Sequence, residues 1–147
     1  MPDAFLAAAI KEAKTGLAEG GIPIGSVLVI GGSIVGRGHN RRVQTGDPIR
    51  HAEMDCLANA GRLRAEAYRQ ATLYSTLSPC DMCSGAILLY QIPRVVIGEN
   101  RTFQGPEAYL RSRNVVLEVM DSDACVRLMR EFIARYPALW NEDIGMP

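Results

Sequence analysis

The stretch ATLYSTLSPCDMCSGAILLYQIPRVVIG, residues 71–98, decides how this chain folds. Residues 71–75 are a short apolar run cut off by polar TLSP, which reads as a buried strand. Pro79 favours an abrupt helix start, and CSGAILLY at 83–90 is helical in composition. RVVIG at 94–98 then reads as a second strand. Working outward, Pro106 opens a short helix through Arg111, and VVLEV at 115–119 is a third strand. Upstream, SVLVI at 26–30, Gly31-Gly32 and SIVGRGH at 33–39 form a hairpin with a glycine turn. An opening hairpin followed by alternating helices and strands predicts a mixed sheet covered on both faces. The expected fold class is α/β, a three-layer α/β/α sandwich.

The remaining segments fit around that sheet. Leu6, Ile10, Ala13 and Leu17 share one helical face, with Gly20-Gly21 as the stop. HAEMDCLANA is a helix ended by Gly61, whereas HNRRVQTGDPIR, broken by Gly46 and Pro48, reads as a loop. Asp121 is the expected N-cap of a later helix whose apolar face is Val126, Met129, Phe132 and Ile133. No repeat, low-complexity run or long linker divides the chain, so residues 1–147 are read as one domain.

The chain has 147 residues, enough to bury a core without staples, and 48% of them are hydrophobic. Sixteen basic side chains balance sixteen acidic ones, and the pI is near 6.7. A domain that wraps a phosphate backbone usually shows a basic excess, so nucleic acid is not an expected partner. Residues 1–21 carry Asp3, Lys11, Glu12 and Lys14 around a short apolar run, which reads as an amphipathic helix rather than a signal peptide. No run approaches the ~18 apolar residues of a membrane span, so no membrane association is expected. Four cysteines, two of them in C-x-x-C, do not make a secreted disulfide framework, and a cytoplasmic location is expected.

Cys80 and Cys83 lie at the start of a helix, three residues apart, where both sulfurs share one face and the helix dipole favours thiolates. A C-x-x-C alone admits a redox pair, half a structural zinc site, or two inert thiols. The redox reading lacks a thioredoxin-like order of elements. A closed structural site would need two more ligands, from His39, His51, Cys56 and Cys125. Cys56 and Cys125 fall within apolar helical patterns and read as buried, inert thiols. His51 also opens a helix, and Glu53 follows two residues later. Singly, these could be a capping histidine and a first-turn acid. Together with Cys80 and Cys83, one histidine and two cysteines make three protein ligands and leave a fourth position for water or hydroxide, the pattern of a catalytic zinc ion. Glu53 beside that position is placed to move the water's proton.

H-x-E followed by P-C-x-x-C is the signature of zinc-dependent nucleobase deaminases. On these motifs the sequence resembles the cytidine/cytosine deaminase superfamily, and more narrowly its fungal-type cytosine deaminases, which act on the free base. GGIPIG (20–25), GRGHN (36–40), TLSPCDMCSGAI (76–87), IPRVVIGEN (92–100) and WNEDIG (140–145) extend the match over most of the chain. The resemblance implies a cytidine deaminase-like sheet of about five strands. It also implies roles for further residues: Asn40 holding the base, Asp143 binding the exocyclic amine, Phe103, Trp140 and Ile24 lining the pocket, and the Ala52 amide fixing the ring. Read singly, Asn40 could cap a turn, Asp143 could be a solvated tail residue, and Trp140 could be core. The chain departs from the fungal pattern at Ala52, where glycine stands, and in loop 41–50, which is expected to bring Asp47 and Arg50 close to the site.

The implied reaction is cytosine plus water to uracil and ammonia, a step of pyrimidine salvage, with Glu53 as catalytic residue and Zn2+ as cofactor. The zinc is expected to lower the pKa of its water towards ~7. Guanine, isocytosine or another amino-heterocycle is the alternative substrate. A tRNA adenosine deaminase and a non-catalytic zinc module are further alternatives, weakened by the charge balance and by Glu53 respectively. A homodimer, built through helices near the zinc site, is also implied by the resemblance.

Overall fold

In the computed structural model, which describes residues 3–147, Asp3 caps the first helix, α1 (Ala4–Ala18), by accepting from the amides of Phe5 and Leu6. Its buried face is Leu6, Ala9, Ala13 and Gly16, while Leu17 is 40% exposed and Ile10 half-buried. The face is therefore rotated from the one expected, because small residues allow closer approach than long ones. A Cβ at Gly25 would stand 2.0 Å from the Ala9 carbonyl oxygen and 2.5 Å from the Ala13 nitrogen, so backbone rests on backbone there. We predict that Gly25→Ala lowers stability by about 3 kcal/mol through overpacking. A fall in the urea midpoint at unchanged m-value would show it.

The sheet has five strands: β1 (Gly25–Ile30), β2 (Ser33–His39), β3 (Ala71–Ser75), β4 (Arg94–Ile97) and β5 (Val116–Val119). Their order is β2-β1-β3-β4-β5. β1 is antiparallel to β2 and β3, whereas β3, β4 and β5 run parallel, so the sheet is mixed as expected. Gly31 and Gly32, at φ 58° and 77°, supply the two left-handed positions that a tight hairpin turn requires.

Alternation along the strands divides the core in two. Val27, Val29, Tyr74 and Val96 face α1 and Cys125 of α7 (Asp123–Arg135). Leu28, Leu73, Val95 and Ile97 face the other layer. There they meet Cys56 and Leu57 of α3 (Ala52–Ala60), Ile87 of α5 (Asp81–Leu89) and Leu110 of α6 (Glu107–Ser112). The α/β/α sandwich follows directly from this period of two. A third cluster closes one end of the sheet, where Ile22, Ile24, Ala52 and Leu77 pack with Met129, Phe132 and Trp140.

Four local features differ from expectation. The loop after His39 contains one helical turn, α2 (Arg42–Thr45), closed by Gly46 at φ 67°. Ser122, not Asp121, caps α7, its hydroxyl accepting from the Cys125 amide. Asp121 instead takes a left-handed φ of 54°, which aspartate tolerates. Two short helices, α4 (Ala65–Tyr68) and α8 (Pro137–Asp143), had no periodic signal because each spans two turns or fewer. Tertiary burial of Tyr68 and Trp140 holds them.

Candidate active site

His51 and Cys80 occupy equivalent places, the N-cap positions of α3 and α5. An N-cap side chain usually turns back to accept from its own helix, but neither of these does so. Both point instead to one spot, where Cys83 joins them from the first turn of α5. His51 Nδ1 lies 3.4 Å from Cys80 Sγ and 3.8 Å from Cys83 Sγ, and all three ligand atoms fall within 4.8 Å of one another. Zinc–sulfur and zinc–nitrogen bonds at a tetrahedral angle place sulfur and nitrogen about 3.6 Å apart, so the three donors fit a zinc ion. His51 Nε2 is 3.2 Å from Asp143 Oδ1, which orients the ring and leaves Nδ1 facing the sulfurs.

The electrostatics ask for a cation at that spot. Burial alone would lower the His51 pKa, but hydrogen bonds to Asp143 and Cys80 and the charges of Asp143 and Glu53 raise it to about 10. The hydrogen bond from Cys83, assisted by His51, overcomes burial and lowers the Cys80 pKa to about 4. Cys83 is pushed up in turn, chiefly by its hydrogen bond to Cys80, with burial adding to it. His51, Cys80 and Cys83 would hold a divalent metal there, and a metal favours the neutral imidazole and the thiolates as ligands.

Glu53 is 4% exposed and stands on the same wall. Burial, with the nearby Cys80 thiolate, raises its pKa to about 7, poised to accept and return a proton near neutrality. The cavity in front of it is lined by Ile24, His51, Glu53, Leu77, Ser78, Cys80, Phe103, Trp140, Asp143 and Ile144. Phe103 and Trp140 meet edge to face, with ring centroids 5.8 Å apart and planes at 85°. A wider cleft shares His51, Cys80, Phe103, Asp143 and Ile144 with this cavity, and adds Arg42, Pro48, Gln104 and Glu142 at its rim.

Seven of the residues singled out in the sequence therefore line one cavity or hold its wall: His51, Glu53, Cys80, Ile24, Phe103, Trp140 and Asp143, with Cys83 buried directly behind. Asn40 is fully buried and reaches the cavity through Asp143, donating from Nδ2 to Oδ1 and Oδ2 at 3.2 and 3.3 Å. Its Oδ1 accepts from the Arg42 amide at 3.0 Å. Ala52 is fully buried, its methyl group packed with Ile24, Leu77 and Trp140. Arg50 and Asp47 do not enter the site. Arg50 binds Asp55 at 2.8 Å, and Asp47 accepts from the Ile49 amide. Leu77, Ser78 and Ile144 also line the cavity and were not anticipated, although each adjoins or sits within a motif that was. Cys56 and Cys125 are buried, and burial pushes the Cys56 pKa up to about 12 and raises that of Cys125, which makes both poor nucleophiles.

A family model for the cytidine and deoxycytidylate deaminase zinc-binding region matches residues 2–99. The cytosine deaminase of Candida albicans is 48% identical over 141 residues, covering 95% of this chain and 94% of the relative. A tRNA-specific adenosine deaminase of Streptococcus pyogenes is 42% identical over 106 residues, covering 71% of this chain and 67% of the relative. Among solved structures, the guanine deaminase of Nitrosomonas europaea superposes with a TM-score of 0.74 at 21% identity, covering 91% of this chain and 85% of that one, a likeness of fold.

Proposed function

The chain belongs to the zinc-binding family of cytidine and deoxycytidylate deaminases, and we propose that within it this protein hydrolyses free cytosine to uracil and ammonia. The observation that carries the reading is the cavity in which Glu53 stands beside the converging His51 and Cys80, faced by the apolar side chains of Ile24, Phe103 and Trp140, walls suited to the flat face of a heterocycle. Near end-to-end similarity to a fungal cytosine deaminase supports the same base.

In this reading His51, Cys80 and Cys83 would hold the zinc ion, which supplies Lewis acidity and a reactive water when bound. Glu53 takes a proton from the attacking water and delivers it to ring N3, which makes C4 more electrophilic. The water oxygen bonds to C4; Glu53 then takes the remaining proton of that hydroxyl and passes it to the exocyclic amine, so that the C4–N bond breaks, the C4 carbonyl forms and ammonia leaves. Asp143 accepts from the exocyclic amine while keeping His51 oriented, and Asn40 fixes both Asp143 and the ring edge. Phe103 and Trp140 form the apolar walls with Ile24. The Ala52 amide, at the start of α3, adds a donor towards the ring.

The proposal extends to a single deaminase domain over residues 1–147, acting on a small base in pyrimidine salvage in the cytoplasm. The balance of sixteen basic and sixteen acidic residues supports a partner other than nucleic acid. Among the described residues no helix is long and apolar enough to cross a membrane. A homodimer is proposed through α3 and α5. There Leu89 is 71% and Tyr90 41% exposed, beside a groove lined by Met54, Leu57 and Leu63.

The test is ammonia release by zinc-loaded protein from cytosine, isocytosine, guanine and tRNA. We expect cytosine to give the highest kcat/KM, exceeding guanine by at least about a hundredfold. Activity on guanine or tRNA without activity on cytosine would overturn the assignment of the base.

A further inference from the structure

Residues 41–50 join Asn40 to His51, so the shape of this loop sets the distance between the amide that holds the base and the metal ligand. The loop is closed at its base, where the Arg41 amide donates to the Arg50 carbonyl at 2.9 Å. Both closing residues also send their guanidinium groups to one carboxylate, Asp55 of α3. Arg41 Nε donates to Oδ2 at 3.0 Å and Arg50 Nε to Oδ1 at 2.8 Å. Oδ2 accepts in addition from the His39 amide at 3.0 Å and from Asn59 Nδ2 at 3.4 Å. Asp55 has no solvent exposure, and its own amide donates to the His51 carbonyl at 2.8 Å.

One carboxylate thus grips both neighbours of Asn40 and the residue preceding His51. The grip is rigid because its surroundings leave no slack. A Cβ on Gly38 would lie 2.5 Å from Asp55 Oδ2 and 2.5 Å from the Cys56 nitrogen, so β2 is pressed onto α3 there. From the opposite layer, Glu12 and Glu19 take the two ring nitrogens of His39 at 2.9 and 2.8 Å. The end of β2 is held from both sides. Burial works to raise the Asp55 pKa, but Arg50, Arg41 and the His39 amide hold it below the usual carboxylate range, as a satisfied buried ion pair requires.

We propose that Asp55 is a positioning residue, which sets Asn40 in register with His51 by clamping both ends of the loop between them. The proposal rests on the deaminase reading above. Asp55 is not on the cavity wall; it acts through Asn40, whose amide holds Asp143, which in turn holds His51 Nε2. Two guanidinium groups from a loop that looks like a solvated surface are thereby part of how the base is seated.

The experiment compares wild type with Asp55→Asn in the zinc-loaded full chain. A second variant, Arg41→Gln/Arg50→Gln, opens the same clamp without altering the buried position, and carries the same expectations should Asp55→Asn fail to fold. KM for cytosine should rise roughly tenfold, the size of a lost buried charge-assisted contact, while kcat changes by less than about threefold and zinc content is unchanged. In an Asn40→Ala background, Asp55→Asn should raise KM no further, because its effect passes through Asn40. Hydrogen exchange should show lost protection at the His39 and Arg41 amides with α3 still protected. Additive effects on KM, a fall in kcat at constant KM, or unchanged exchange at His39 and Arg41 would each overturn the proposal. Wild type inactive on cytosine but with the predicted exchange change in the variant would sink the assignment of cytosine instead and leave the clamp standing.

Discussion

Glu53→Gln should lower kcat by about a thousandfold or more, while the fold and the zinc content stay as in wild type. Glutamine keeps the size and polarity of the side chain but cannot accept and return a proton. Glu53 is not among the three groups whose ligand atoms converge, so the metal site does not depend on it. It is 4% exposed on the cavity wall, so no solvent base can easily take its place. Glu53→Ala should be as inactive, since the loss is one of proton transfer rather than of packing. Steady-state ammonia release, metal analysis and a thermal melt on the same preparations decide it. Near-normal turnover in either variant, with zinc bound, would remove Glu53 from the mechanism.

Cys83→Ala should empty the metal site. It removes one of three protein ligands, at a position with no solvent exposure where water is poorly placed to substitute. Loss of an outer hydrogen-bonding partner of a ligand already costs up to about a hundredfold in metal affinity, so loss of the ligand itself should exceed that, and activity should vanish with the zinc. Cys125→Ala is the matching control. Its thiol is equally buried, but it packs against the sheet in the layer of α1, remote from the converging donors. That variant should keep stoichiometric zinc and full turnover and lose only about 1 kcal/mol of stability. Zinc retained in Cys83→Ala, or lost in Cys125→Ala, would mean that the ligands have been misassigned.

The contrast between these two cysteines shows what kind of information lies along the chain. Cys83 is marked by its neighbours, Pro79 and Cys80 at the start of a helix, whereas Cys125 sits in an apolar helical pattern with no second donor at a useful spacing. Local spacing was equally sufficient for β1 to β5, for α3 and α5, and for the three ligands and Glu53, because helix starts and strand periods are set within a few residues. It was insufficient where long-range packing chooses between local options. The face of α1 turned because Gly25 admits helix backbone, and α8 forms because Trp140 has a cluster to enter. Arg50 had been expected near the pocket and turned instead to a carboxylate five residues later.

The sequence by itself determined the sandwich and the donor set, since both rest on periodicity and on the chemistry of residues a turn apart. Only the tertiary structure decided the cavity beside those donors. Asn40 and Asp143 meet across 103 residues of chain, and the cavity exists only where the segment before β1, the loop after β3, the Phe103 loop and α8 close on the same point. No local preference encodes such a cavity; it is what remains when four separately specified surfaces are packed to contact.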